Sequence, residues 1–457
     1  MNPVWHQFTL SDFSPYRWLA ASYVYRIIGL LGQWKQGSFL LQWGEPLGAL
    51  LISIVFIFGP FISTGLIGLW LFALAAYWGL LTLADKGKPG ITPIHLLVMV
   101  YWGMAAIAVA LSPVKTAALT GFVKLSLYLL FFLLSARILQ SPRLTNGLIT
   151  VVLLIGLVVS SYGVRQNFFG VEQLATWNDP TSELAQATRV YSYLGNPNLL
   201  CSYLFAAIAL SIGAVFVWQG RLPKALAVTM VLVNSSCLYF TGSRGGWIGM
   251  MALLVSFALL LFVWFRDSLP PFWRKWLLPL VLGGFAGVVL VAIVALEPIR
   301  LRVMSIFAGR EDSSNNFRMN VWMAAIEMIK DYPLTGIGPG NAAFNSIYPR
   351  YMSPKYSALS SYSIFLENAV EMGLIGLSIF LWLIIVTVNQ GIAQMQRLRL
   401  ENNRQGIWLI AAIAGMAGLL GQGLVDTVWY RPQVNIFWWF LVALIASQYQ
   451  FKGNGEQ

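Results

Sequence analysis

The sequence predicts an all-α, polytopic integral membrane protein with about twelve transmembrane helices. Hydrophobic residues make up 58% of the 457-residue chain and charged residues 10%, against about 25% charged in an average soluble domain. The apolar residues fall in runs close to the ~20 that a helix needs to cross a hydrocarbon core. Finally, 29 Lys+Arg stand against 17 Asp+Glu, and the basic residues sit in short breaks between the apolar runs. Orientation in a bilayer accounts for that placement, so the excess charge is not read as a nucleic-acid surface.

Spans are expected at 46–61, 63–84, 94–112, 116–136, 146–164, 198–218, 224–241, 246–265, 276–296, 361–389, 407–425 and 434–450. The first two form one apolar stretch divided at Gly59-Pro60, because proline lacks a backbone donor and glycine weakens a helix. Residues 1–45 carry Arg17, Arg26 and Lys35 among Trp18, Tyr23, Tyr25 and Trp34 and read as a cytoplasmic or interfacial amphipathic segment. They lack a signal peptide's short apolar core and small-residue cleavage site, so the first span is expected to act as an uncleaved insertion signal. The expected organisation is thus 1–45 interfacial, 46–296 holding helices 1–9 with an external loop at 165–197, 297–360 an extracytoplasmic loop subdomain, 361–450 helices 10–12, and 451–457 a cytoplasmic tail.

Lys86 and Lys88, Arg137 and Arg143, Arg221 and Lys224, Arg266 with Arg274 and Lys275, and Arg397, Arg399 and Arg404 fall in every second loop. The positive-inside rule then places these loops and both termini in the cytoplasm. Two cysteines, Cys201 and Cys237, and two histidines, His6 and His95, are too few for a disulfide framework, a Cys/His zinc site or haem attachment. No metal and no cofactor are expected. No internal repeat is visible, which disfavours a carrier built from inverted halves.

The other loops face outward and should be poor in basic residues, yet they hold Arg165, Arg189, Arg244, Arg300, Arg302, Arg310, Arg318, Arg350 and Arg431. Arginine's planar fork of donors suits carboxylate or phosphate, so an external anion site is one reading. Pairing with loop acids such as Glu297, Glu311, Asp312 and Asp426, or snorkelling to lipid headgroups, is the other. Arg244 and Arg318 stand out by context. In Ser243-Arg-Gly-Gly246 the glycines allow close backbone approach, and a helix starting at Trp247 would aim its first N–H groups at an anion. Gly195-Asn-Pro-Asn198 offers Asn196 and Asn198 as cap or ligand. Phe317-Arg-Met-Asn-Val-Trp322 reads as an amphipathic helix, followed by a Gly/Pro turn from Pro333 to Gly340.

Glu367 and Glu371 lie four residues apart on one face of a span, where carboxylates are costly and often functional. They are candidates for acid/base chemistry, with pairing of Glu371 to an external arginine as the alternative. Asp426 and Arg431 flank a turn and are expected to bridge each other, with a place in the site as the second possibility. Lys124 lies inside a span, snorkelling or pairing with an acid.

Taken in order, Gly195-Asn-Pro-Asn198, Ser243-Arg-Gly-Gly246, Arg318 with Trp322, Pro333 through Gly340, and Glu371-Met-Gly-Leu-Ile-Gly376 resemble the O-antigen ligase and polymerase superfamily of bacterial envelopes over roughly residues 190–440. Gln33-Trp-Lys-Gln-Gly-Ser38 and Asp426-Thr-Val-Trp-Tyr-Arg-Pro-Gln433 look like its cyanobacterial branch, commonly labelled an inorganic-carbon or bicarbonate transporter. The resemblance implies a GT-C type membrane glycosyltransferase fold in the bacterial plasma (inner) membrane. Its cavity would lie at the external face, without metal, and hold a polyprenyl-diphosphate-linked glycan for transfer to an acceptor. Arg244 and Arg318 match the family's diphosphate-binding arginines. The family's catalytic histidine does not carry over, since Tyr362 stands where it is expected. A phenol with pKa near 10 is a poor base at neutral pH but can donate a hydrogen bond or touch a sugar. Bicarbonate transport, and a non-catalytic membrane partner role, are the alternative functions.

Overall fold

The computed structural model describes residues 3–11, 28–84, 90–172 and 189–450. Arg17, Trp18, Tyr23, Tyr25 and Arg26 of the amino-terminal segment, Lys86, Lys88, residues 173–188 of the loop at 165–197, and the tail 451–457 lie outside the described residues.

Among the described residues the chain is helical throughout and forms no strand. After short helices at Pro3–Phe8, Gly32–Gly37 and Phe39–Gln42, the apolar helices are α1 (Gly44–Phe58), α2 (Thr64–Ala84), α3 (Pro93–Leu111), α4 (Lys115–Ile138), α5 (Pro142–Phe169), α6 (Pro197–Val217), α7 (Arg221–Phe240), α8 (Arg244–Phe265) and α9 (Pro271–Ala295). Three helices that are not candidate spans follow, α10 (Glu297–Phe307), α11 (Ser313–Asp331) and α12 (Asn341–Ile347). The chain then re-enters as α13 (Ile364–Leu400), α14 (Gln405–Gly423) and α15 (Pro432–Ser447). Ten helices are long and apolar enough to cross a bilayer, and α1 and α15 are shorter apolar helices. The protein is a polytopic, all-helical integral membrane protein. The split at Gly59-Pro60 is real, since α1 stops at Phe58. The tenth span differs from the expected 361–389: its helix runs on to Leu400 and is broken at Gly373.

Lipid tails are as apolar as leucine, so helices in a bilayer associate through packing and small residues rather than hydrophobic burial. The centre obeys this rule. Every residue of α15 except Asn435 is buried, and α6 and α14 are almost as enclosed. A Cβ on Gly249 of α8 would lie 2.5 Å from the Gly418 carbonyl of α14, and one on Gly246 would lie 2.1 Å from Cys201 Sγ of α6. These glycines let α8 sit directly on α6 and α14, which fixes where Arg244, at the first turn of α8, points.

Helices α11 and α12 share a small core of their own, with Val321, Ala325, Met328, Phe344 and Ile347 packed on Ala118 of α4 and Val370 of α13. The break at Gly373 ties this core to the bundle. With φ +68° there, α13 loses its regular ladder, and the segment from Pro333 to Gly340 takes up the freed groups. Ile337 N–H donates to the Val370 carbonyl at 2.9 Å, Gly338 N–H to Glu371 at 2.9 Å, and Leu374 N–H to Pro333 at 2.8 Å. A Cβ at position 373 would meet the Leu334 carbonyl at 2.2 Å, and one on Gly340 would meet Gly121 Cα of α4 at 2.6 Å. Both motifs therefore serve one joint, because buried backbone groups must be paired and only glycine tolerates the approach.

Candidate functional site

Arg244 occupies the first helical position of α8, three residues earlier than the expected start at Trp247. Ser243 caps the helix, its Oγ accepting from Gly246 N–H at 3.1 Å. That N–H is thereby spent on the cap and is not available to an anion, which corrects the sequence expectation. Arg244 Nη2 donates to Asp312 Oδ1 at 2.9 Å and Nη1 to the Ser305 carbonyl at 2.9 Å. Asp312 also caps α11, accepting from Asn315 N–H at 2.8 Å. Burial works against its negative charge, but Arg244 and Asn315 more than offset this and hold its carboxyl below the ordinary value. The loop-acid alternative therefore holds for Arg244, and the pair is a joint between α8 and α11 as well as part of a charged surface.

Arg318, on α11, donates through Nε to the Val425 carbonyl at 2.8 Å and through Nη1 to Ser314 Oγ at 2.6 Å. Its guanidinium lies over the Tyr362 ring, 5.9 Å from the centroid. Arg244 and Arg318 line one cavity of about 180 Å³ together with Asn315, Met319, Trp322, Ile306 and Val425. The two arginines singled out by motif, 74 positions apart in sequence, are thus walls of one chamber.

Two further arginines back this chamber, and nothing in their local sequence distinguished them from the other external arginines. Arg189 donates to the Thr241 carbonyl at 3.0 Å and to Asn198 Oδ1 at 3.3 Å, and Arg302 donates to the Gly242 carbonyl. Burial and then the neighbouring guanidiniums of Arg318 and Arg244 pull Arg189 down to about 10. Burial, Arg189 and Arg244 pull Arg302 down to about 9. Both remain cations at neutral pH.

Asp426 is buried in the turn between α14 and α15 and accepts from Thr427 N–H at 2.8 Å. Burial raises its pKa, and the charges of Arg318 and Arg189 act in the opposite sense. The expected bridge from Asp426 to Arg431 does not form. Arg431 instead lies over the Tyr430 ring at 5.3 Å, because the turn carries its side chain away from Asp426. Asn196 is spent on capping, its Oδ1 accepting from Asn198 N–H at 2.8 Å and Leu199 N–H at 3.2 Å. Asn198 has the contact role, reaching Arg189. Other arginines that the sequence places in the same set of loops have bland partners: Arg165 lies over Tyr162 and Phe169, and Arg300 approaches Glu297 at 3.8 Å.

Tyr362 has φ +52°, a left-handed backbone that costs a non-glycine residue roughly 1–3 kcal/mol and persists only where the surroundings enforce it. Trp322 Nε1 donates to its carbonyl at 3.3 Å, and Phe317 meets its ring edge-on at 5.4 Å. Burial, then Asp426 and Tyr430, push its hydroxyl up to about 12, so at neutral pH it keeps its proton and can donate a hydrogen bond.

Glu367 and Glu371 do not line the arginine chamber. They face a second cavity of about 110 Å³, with Lys124 and Tyr128 of α4, Tyr101 of α3, Asn435 and Tyr430 also on its wall. Tyr101 Oη donates to Asn368 Oδ1 at 2.7 Å. Among the described residues neither glutamate has an ion pair within 4.0 Å, so the expected alternative, Glu371 bridged to an external arginine, is not realised. Tyr362 stands between the chambers: Trp322 of the first holds its carbonyl, while Tyr430 of the second acts on its hydroxyl. His95 is remote from both, bonded to Thr92 at the start of α3 and packed on Phe132.

Residues 225–381 match the family model described as O-antigen ligase. No curated protein matches the chain. The matched stretch runs from α7 into α13 and includes Arg244, Arg302, Arg318, Tyr362, Glu367 and Glu371, whereas Arg189, Asn198 and Asp426 lie outside it. The chain is an integral membrane protein, and over this stretch, about a third of its length, it is similar to the O-antigen ligase family.

Proposed function

We propose that the arginine chamber binds the diphosphate of a polyprenyl-linked glycan at the external face of the bacterial plasma membrane, with both termini cytoplasmic. The protein then transfers the glycan, without metal, to an acceptor. The observation that carries this reading is the single cavity walled by Arg244 and Arg318. Behind that cavity stand Arg302 and Arg189, whose guanidiniums act on each other and on Arg244 and Arg318.

In this reading the acceptor's hydroxyl oxygen attacks the anomeric carbon while the bond from that carbon to the diphosphate oxygen breaks. The electron pair leaves on the diphosphate, where prearranged guanidiniums stabilise the developing charge most effectively because they need no reorganisation. Tyr362 donates a hydrogen bond and presents its ring to the sugar. The acceptor's proton passes to the Tyr362 hydroxyl as that hydroxyl gives its own proton on to Glu367 in the second chamber, with Glu371 beside it. Asn198 and Asp426 set the positions of Arg189 and Arg318, and Asn196 and Arg431 act from the periphery.

The test is binding of an undecaprenyl-diphosphate glycan to the purified protein, compared with Arg244→Ala and Arg318→Ala, with bicarbonate uptake into proteoliposomes measured in parallel. Micromolar binding lost in both variants, without uptake, supports the reading. Saturable bicarbonate flux without lipid binding overturns it in favour of transport. Wild-type binding with no transfer to any acceptor, and with Glu367→Gln behaving as wild type, leaves a non-catalytic lipid-binding partner.

A further inference from the structure

The second chamber holds charges of both signs that do not meet. Glu367 and Glu371 of α13 and Lys124 of α4 line it, yet among the described residues none of the three forms an ion pair within 4.0 Å. Gly340 N–H reaches the Glu371 carboxylate. Asn435 gives its amide N–H to the Trp429 carbonyl at 3.0 Å and leaves Oδ1 without a hydrogen-bond partner. Apart from the hydroxyls of Tyr128 and Tyr430, which serve either way, the free capacity inside is that of acceptors. Enclosing such groups is costly unless donors are brought to them.

Lys124 marks the way in. It is the only exposed residue of the cavity wall, and Leu119 and Val123, apolar and exposed beside it, belong to the face of α4 that meets lipid. The joint at Gly340 sets its depth. Gly121 lies against Gly340, and Ala118 against the core of α11 and α12, neither of which is a candidate span. Lys124, about one helical turn further along, therefore sits at the membrane boundary, where lipid headgroups lie.

This order of charge selects against ions. A phosphate that passes Lys124 meets two carboxylates, and an ammonium meets Lys124 first, so either sign finds repulsion on the path. A neutral polyol satisfies both ends, accepting from the Lys124 ammonium and donating to the carboxylates in charge-assisted hydrogen bonds. Trp429 and Tyr430 on the same wall offer aromatic faces to the C–H side of a ring. The cavity of about 110 Å³ has room for about three or four groups at the ~30 Å³ that a water occupies. That is one hydroxyl-bearing edge of a sugar, with the rest of the ring at the mouth.

We propose that the second chamber binds the uncharged sugar head of a membrane glycolipid, which enters from the bilayer past Lys124. Glu367 and Glu371 take its hydroxyls, and Lys124 holds its outer edge. Beside Tyr362, that sugar is placed as the acceptor of the transfer proposed above; this role rests on that reading, whereas the binding stands without it.

Native mass spectrometry of the full-length protein in detergent tests this, with monoglucosyl diacylglycerol offered beside phosphatidylglycerol, phosphatidylethanolamine and phosphatidylcholine of matched acyl chains. The glycolipid is expected to bind at least about tenfold more tightly than any of the phospholipids. Glu371→Gln should weaken it about tenfold, and Lys124→Leu, exposed on the lipid face, about fivefold. A phospholipid bound as tightly as the glycolipid overturns the proposal, and so does glycolipid binding unchanged in Lys124→Leu. If Glu371→Gln fails to fold, Lys124→Leu alone decides. Methyl glucoside bound as tightly as the glycolipid contradicts entry from the bilayer. Undecaprenyl diphosphate in the same assay separates the two readings: its binding without glycolipid binding sinks only the present proposal, and glycolipid binding without it sinks only the reading of the arginine chamber.

Discussion

The arginine chamber and the carboxylate chamber lie on either side of Tyr362 and are built in opposite ways. The first is assembled from helix ends and loops, and its charges are held by backbone carbonyls and capping side chains: Val425 and Ser314 for Arg318, Ser305 and Asp312 for Arg244. The second is cut into the faces of α3, α4 and α13, closed by the Pro339-Gly340-Asn341 turn, and its glutamates have no ion-pair partner among the described residues. Charge at a membrane surface can be oriented by the peptide groups that loops expose. Inside a span the helix has already used its own groups, so a carboxylate there depends on a cavity and on a loop that enters it, as Gly340 does for Glu371. Cations are thus displayed where loop backbone is free to hold them, and the span acids sit where a cavity opens beside them.

The largest expected effect breaks the joint that both chambers share. Gly373→Ala places a Cβ against the Leu334 carbonyl at a positive φ, and should lower stability by about 3 kcal/mol or more. A fall in the thermal midpoint in detergent, beside an unchanged Gly103→Ala control whose Cβ meets nothing within 4 Å, would bear this out; equal midpoints would remove the joint from the account.

Next in size, Arg244→Ala separates the chambers functionally. It removes a wall of the first and leaves Asp312 without its partner, so affinity for a diphosphate lipid should fall about a hundredfold. Glu371→Gln, which alters only the second chamber, should leave that affinity within about twofold. Equal losses in the two variants, measured by titration in nanodiscs, would merge the chambers into one.

A smaller effect lies in the pH dependence of stability, where two acids of the first chamber should act with opposite signs. Asp312 is held below its ordinary value, so its contribution is full above the unfolded pKa of about 3.9 and is lost as pH falls through the lower folded value. Asp426 is held above its ordinary value, so its contribution is present below about 3.9 and is lost as pH rises through the raised value. Asp426→Asn should therefore flatten the decline in thermal midpoint on the way up from acid pH, and Asp312→Asn should remove the loss at the acid end. The same slope in both variants would contradict the assigned directions. Smallest of all, Arg431→Ala removes only a ring contact and should change stability by no more than about 0.5 kcal/mol.

Much of the fold was legible because bilayer thickness imposes a length on apolar runs, and Gly59-Pro60 marked a boundary inside one of them. The break at Gly373 was not legible. Its glycine reads as ordinary small-residue packing in a span until the segment from Pro333 to Gly340 is seen to dock on it. Arg244 and Arg318 could be singled out from tight or motif-like context on the side where arginine is out of place. Arg189 and Arg302 could not, because their significance comes from flanking Gly242 together, a proximity across 113 positions that no local pattern records. The turn geometry that sends Arg431 to Tyr430 and keeps Asp426 with the chamber arginines is likewise tertiary. So is the separation of Glu367 and Glu371 from the arginines, which their place near the start of one helix concealed.

The central claim is that the cavity between Arg244 and Arg318 holds a lipid-linked diphosphate, and a cryo-electron microscopy map of the protein with bound undecaprenyl diphosphate tests it most directly. Diphosphate density is expected between Arg244 and Arg318, with the prenyl chain leaving into the bilayer. Diphosphate density outside this chamber, with Arg244 and Arg318 unchanged and distant, would contradict it.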